Sequence, residues 1–209
     1  MDIVIYMKRS DHAYFIRQKS QLATLASSAR QEIVDLLSRM GTVSVAELAA
    51  SLGRPADAIY YHLRVLKQSG LVIQAGKRNR GRRPEELFRT VSSNLRLQYK
   101  TGEGGNGREI SAIVGSMLRM GIRDFRRTFQ SSDAKVSGSD RELWALRSTG
   151  WLTPKEIVSV NQSMKSLSQA VSKPHGKGRL YAITVLLTPL DHRARSNGLK
   201  AIHRKERNK

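Results

Sequence analysis

Apolar residues recur at helical spacing through the first third of the chain. Leu22, Leu25 and Ala26 share one helix face in a stretch that opens at Ser20. After Ser27-Ser28 the same period returns at Ile33, Leu36, Leu37 and Met40, and Gly41 ends the run, as glycine does past helix C-termini. Thr42-Val43-Ser44 is a short extended link. Ser44 stands three residues before Glu47, the pairing of a capping box, so a third helix is expected over Val45–Leu52 with Gly53 as its stop. Pro55 suits the start of a fourth helix, from Ala56 to about Ser69, ended by Gly70. Leu71-Val72-Ile73 predicts a strand, Gln74–Glu86 a turn-rich basic loop and Leu87–Val91 a returning strand. In residues 1–18 only Ile3, Ile5 and Met7 alternate briefly, which leaves that stretch ambiguous.

Helix, helix, short turn, helix and a hairpin with a cationic tip is the order of a winged helix-turn-helix. Downstream, Gly102, Gly104, Gly105 and Gly107 predict a flexible linker. Glu109–Phe129 follows as a helix, Ser131–Asp140 as a loop, and a loose alternation over Glu142–Trp151 as a strand. Thr153, Pro154 and Glu156 open another helix whose stripe is Ile157, Val160, Met164 and Leu167, and Leu180–Leu187 reads as a β-rich strand. The expected fold is mainly α with small β. A winged helix-turn-helix over 20–92 follows an extension at 1–19. A linker at 93–108 joins it to a small α+β dimerisation or effector domain at 109–190, and a disordered basic tail covers 191–209.

The fourth helix has two unlike sides. With steps of roughly 100° per residue, Leu63 and Leu66 fall within about 40° of Ile59, while Asp57, Tyr60, Tyr61, Arg64 and Gln68 gather opposite. That outer side offers donors, acceptors and rings, as a helix lying in a major groove requires. The Arg64 fork suits guanine O6 and N7, a tyrosine suits a thymine methyl or a phosphate, and Asp57 suits a cytosine amino group or a neighbouring arginine. His62 lies nearer the buried boundary and is expected to pack or to meet phosphate. An ordinary amphipathic helix with a solvated face is the plainer alternative.

Charge narrows the choice of partner. The 209-residue chain has 37 Lys and Arg against 17 Asp and Glu, a net charge of +20. Residues 1–100 hold 17 basic and 8 acidic residues, 101–190 hold 13 and 7, and the last 19 residues hold 7 and 2, the densest excess. Lys77, Arg78, Arg80, Arg82 and Arg83 put five cations into seven positions. Like charges that close repel one another unless an anion is shared among them, so nucleic acid is favoured over a solvated loop or a membrane-surface patch. The absence of cysteine removes disulfide scaffolds, thiol nucleophiles, thiolate metal sensors and zinc fingers. No apolar run approaches the ~20 residues that span a bilayer. The opening residues lack the basic region of a secretory signal, so a cytoplasmic, nucleoid-associated protein is expected.

At this point the residues resemble the ArsR-type winged helix-turn-helix transcriptional regulators. Leu25–Ile33, Val45–Ala49 and Tyr61-His62-Leu63-Arg64-Val65-Leu66-Lys67-Gln68-Ser69-Gly70-Leu71-Val72 carry the likeness, which covers about residues 20–91. It implies a homodimer that binds an imperfect palindrome in double-stranded DNA and usually represses. By the likeness Asp57, Tyr60, Tyr61 and Arg64 fall at base-reading positions and the basic loop is the wing. Ser44, Arg54, His62, Lys67 and Gln68 complete the expected DNA-contacting set. The chain departs from the family in lacking the cysteine pair, and its histidines (His12, His62, His175, His192, His203) are scattered, so metal sensing is not expected. The segments Arg141–Trp144, Gly150–Leu152 and Arg179–Ile183 are similar to the extension of a longer winged-helix subgroup.

Other chemistries find little support. Gly102–Gly107 matches G-x-G-x-x-G, but residues 94–101 are too polar for the buried strand that a dinucleotide site needs. No hydrolase motif occurs, so neither an enzyme nor a cofactor is expected. Trp144, Trp151 and Tyr181 suit a dimer core, with a small-molecule effector pocket as the second reading. The rival function is sequence-independent nucleic-acid binding or nucleoid packing. For the wing, Arg82→Ala combined with Arg83→Ala should weaken binding to all sequences and flatten its salt dependence. Fluorescence anisotropy at two salt concentrations checks this, and unchanged binding removes the wing from the mechanism.

Overall fold

A computed structural model describes residues 13–80, 83–172 and 178–190. Arg82, the opening segment 1–12 and the basic tail 191–209 lie outside the described residues, as do the side chains of Arg80 and Arg83. Strand β1 (Tyr14–Ile16) leads into helices α1 (Lys19–Leu25) and α2 (Ser28–Met40). Strand β2 (Val43–Ser44), α3 (Val45–Leu52), α4 (Ala56–Gln68), β3 (Val72–Arg80) and β4 (Arg83–Thr90) complete the N-terminal unit. Strand β5 (Leu95–Leu97), α5 (Gly107–Phe129) and α6 (Pro154–Val171) follow. The fold is mainly helical with small sheets, a winged helix-turn-helix followed by a smaller C-terminal region, as the apolar periodicity predicts.

Local signals set the helix ends. The Ser44 hydroxyl accepts from the Glu47 amide and the Glu47 carboxylate accepts from the Ser44 amide, so both expected halves of the box form at α3. Gly53 closes α3 at φ 60°, a left-handed conformation in which a side chain is strained. Pro55 is the N-cap of α4, one residue before the helix. Thr153 and Glu156 form a second capping box at α6, with Pro154 at the first helical position.

One core holds the N-terminal unit. Leu22, Ile33, Leu37, Leu48, Ile59, Leu66, Leu71 and Val72 are fully buried and Leu63 nearly so. Ile110 and Ile113 bring the first turns of α5 into the same cluster. Two glutamine side chains taken inside are matched. The Gln31 amide donates to the Leu25 carbonyl and, at 3.2 Å, to the Ile113 carbonyl, which ties α2 to α1 and α5. The Gln21 amide donates to the Tyr14 hydroxyl and the Ser69 carbonyl at 2.9 and 3.1 Å, joining β1 to the end of α4.

Three expectations need correction. The basic stretch is not a loop. β3 runs through Lys77, Arg78 and Arg80 and pairs antiparallel with β4, in a sheet ordered β2-β4-β3. Lys77 faces Glu86 and Arg78 faces Glu85 across the ladder, so the dilution a cationic strand needs comes from its partner strand. A register shift between Gln74 and Lys77, with Gly76 at φ 109°, bends the hairpin.

The expected linker is ordered as well. Leu95–Leu97 pairs in parallel with Tyr14–Ile16, the two stretches left without an element by their brevity. The Asn106 side chain accepts from the Lys100 amide and donates to the Gln98 carbonyl, closing the glycine loop onto itself. A Cβ on Gly105 would sit 2.6 Å from the Lys100 carbonyl oxygen, so this turn admits only glycine. The loop amides of Gly105 and Asn106 bond back to Gly102 and Lys100 carbonyls, which turns them away from any phosphate.

The two strands expected over 142–151 and 180–187 are extended segments outside any ladder. Among the described residues neither finds a neighbouring strand. No helix among the described residues is long and apolar enough to cross a membrane. Leu63→Ala should lower folding stability by about 2–5 kcal/mol, because it opens a cavity in the α4 anchor. Tyr60→Ala, outside the core, should stay within about 0.5 kcal/mol, and urea denaturation followed by circular dichroism separates the two.

Candidate nucleic-acid interface

Helix α4 exposes the side that its sequence predicts. Ile59, Leu63 and Leu66 lock it into the core, while Asp57, Tyr60, Tyr61, Arg64, Lys67 and Gln68 face solvent. Tyr60 and Tyr61 are 52% and 53% exposed, far more than a packing role needs. The Arg64 guanidinium lies 5.6 Å from the Tyr61 ring centroid, close enough for the ring to steady the cation. Lys67 Nζ donates to Gln74 Oε1 at 3.3 Å and so joins the outer end of α4 to β3. The helix surface and the root of the hairpin therefore share one side of the molecule.

On the hairpin, Lys77 is free to solvent, but Arg78 is held. Its guanidinium bonds Glu47 at 2.9 Å and Glu85 at 3.0 Å, bridging the start of α3 to β4. The Glu47 carboxylate is thus shared between the Ser44 amide and Arg78. Both contacts favour its charged form and hold its pKa below the ordinary carboxylate value, the Ser44 amide contributing most. Arg78 positions the wing as well as charging it.

Some expected contact residues sit deeper than the sequence suggests. Ser44 is only 2% exposed and its hydroxyl is occupied by the α3 cap, so it supports the surface from beneath and presents no donor to a partner. His62 is half-buried, edge-on to Tyr61 at 5.2 Å between ring centroids. Burial, reinforced by Arg30 and Arg54 nearby, pushes its pKa below the ordinary imidazole value and favours the neutral ring. Arg54 reaches Glu32, a carboxylate that also receives Arg123 from α5. Sequence reasoning did not single out Glu32. Its partners lie 22 and 91 positions away, and only the fold brings them to one oxygen pair.

Among the described residues the aromatic trio of the C-terminal region does not gather into an enclosed site. Trp151 is 88% exposed, Trp144 stacks its ring 3.9 Å beneath the Arg141 guanidinium, and the Tyr181 hydroxyl donates to Glu142 at 2.6 Å.

Glu32 holds the turn before α4 and the middle of α5 together, with only 11% of its side chain exposed. Glu32→Gln should therefore cost about 1–2 kcal/mol of stability, with part of the loss disappearing in high salt, where the native pairs are already screened. Urea midpoints at low and high salt measure both effects.

A family model described as a helix-turn-helix domain matches residues 25–75, from the end of α1 to the root of the wing. No curated protein matches the chain. The match supports a DNA-binding helix-turn-helix domain of the kind found in transcription regulators, a binding module and not a catalytic one.

Proposed function

We propose that the protein is a sequence-specific transcriptional regulator of the ArsR type, a homodimer that binds a palindromic operator and represses by occupying it. The observation that carries this reading is the exposure of Tyr60, Tyr61 and Arg64 on a helix whose opposite side is sealed into the core, beside a basic hairpin. In this reading α4 enters the major groove. Asp57, Tyr60, Tyr61, Arg64 and Gln68 meet base edges, and Arg54, Lys67 and neutral His62 lie along the flanking backbone. The wing cations, from Lys77 through Arg83, lie over phosphates or the adjacent minor groove. Residues 20–92 form the reading domain and 109–190 the dimerisation or effector domain, with Trp144, Trp151 and Tyr181 in the latter.

The net charge of +20 favours a second reading, sequence-independent nucleic-acid binding. Selection from a random duplex pool at near-physiological salt decides between the two. A regulator should enrich one short palindrome and prefer it by about a thousandfold or more over bulk DNA. Enrichment of no motif assigns the protein to general nucleic-acid binding. On the selected duplex, Arg64→Ala should cost about 1–3 kcal/mol and relax the preference at one base position in each half-site, read by competition anisotropy with single-base variants.

A further inference from the structure

The C-terminal region carries an apolar face that the described residues leave uncovered. Of the 24 large apolar residues exposed among the described residues, 20 lie beyond Met117. Helix α6 has no buried residue at all. The outer half of α5 presents Leu118, Ile122, Phe125 and Phe129 at spacings of four, three and four, a seam along one side, and its last two rings stack at 6.0 Å. Leu180–Leu190 runs beside this seam: a methyl placed on Gly121 would lie 3.8 Å from Thr184 Oγ1. The helix seam and the extended segment therefore form one continuous surface.

We propose that a second copy of the chain covers this surface, with Leu180–Leu187 of each copy pairing as strands across a two-fold axis. The inference rests on the homodimer reading above and assigns its interface. Three observations select a second copy over other occupants. No charged residue occurs from Leu180 to Leu190 in a chain of net charge +20, so this is a place where two such polycations can meet without repulsion. Among the described residues, no main-chain hydrogen bond joins Leu180–Leu190 to another segment. A lipid surface would leave those groups unpaired, whereas an identical strand satisfies them. Finally, the eleven exposed residues of the seam and of Leu180–Leu190, about half exposed at roughly 180 Å² for each large side chain when free, amount to about 1,000 Å² per chain. That exceeds the ~800 Å² per partner of a standard stable interface. The two-fold arrangement gives each copy the same patch, as closed dimers require. Because Thr184 is turned to α5, the alternation of an extended chain puts Ile183 and Val185 on the opposite face, where in a strand pair they pack beside the same-face side chains of the partner strand.

Light scattering on the full chain across micromolar concentrations tests the assignment. The wild type should have twice the 23.4 kDa chain mass. Ile183→Glu combined with Val185→Glu should raise the dimer dissociation constant at least ~100-fold while the melting of the N-terminal unit, followed by circular dichroism, is retained. The two positions are 46% and 45% exposed in the single chain, so the substitutions do not threaten its core. A wild type that stays monomeric overturns the proposal, and one that instead partitions onto mixed phosphatidylcholine and phosphatidylglycerol vesicles gives the face to a membrane. A double variant that dimerises as tightly as the wild type overturns it too. Duplex selection runs in parallel. Failure to enrich a motif with a dimer that the double variant breaks removes the regulator reading alone. A motif bound by a dimer that the double variant leaves intact removes the interface alone.

Discussion

Everything on the candidate reading side of the molecule depends on the burial of one helix edge. Ile59, Leu63 and Leu66 are inserted into the core formed by α2, α3 and the hairpin root, and their spacing leaves no rotation of α4 that buries a tyrosine without expelling a leucine. The orientation of Tyr60, Tyr61 and Arg64 is thus a consequence of hydrophobic packing, and needs no contact of their own to maintain it. Stability and candidate function occupy opposite sides of the same thirteen-residue helix.

Electrostatics refines what packing establishes. Glu47 serves the α3 cap and Arg78 at once, so the start of α3 and the arm of the hairpin are held by a shared anion. Glu32 does the same for Arg54 and Arg123. In a chain with more than twice as many cations as anions, such carboxylates are the scarce component, and each one is used to join two elements.

The N-terminal half could be read from its sequence because its signals are local. A capping box at Ser44, glycine stops at Gly41, Gly53 and Gly70, and helical spacing of apolar residues act within a few positions of the structure they specify. The exposed side of α4 followed from the same arithmetic. What escaped was long-range. The β1–β5 pair joins three-residue stretches some eighty positions apart, too short for periodicity to register. The basic segment looked like a loop because its neutralising acids, Glu85 and Glu86, lie across a hairpin and not beside it. Ser44 carried a capping signal that also removed it from the surface. For 142–151 and 180–187 the β character in the sequence is real as composition, but a strand is defined by its neighbour, and the described residues of a single chain supply none.

The pairing of Arg78 with Glu47 and Glu85 has a bearing on selectivity. An incoming phosphate does not meet a bare guanidinium at this point of the wing. It must compete with two anions already seated at hydrogen-bond distance, and a loosely placed polyanion loses that contest because it offers no gain over them. Only a backbone held in register by other contacts arrives often enough, and close enough, to displace a carboxylate. In the proposed complex the protein's own acids would thus act as a resident decoy, lowering indiscriminate adhesion to polyanions and leaving the advantage to a correctly docked duplex.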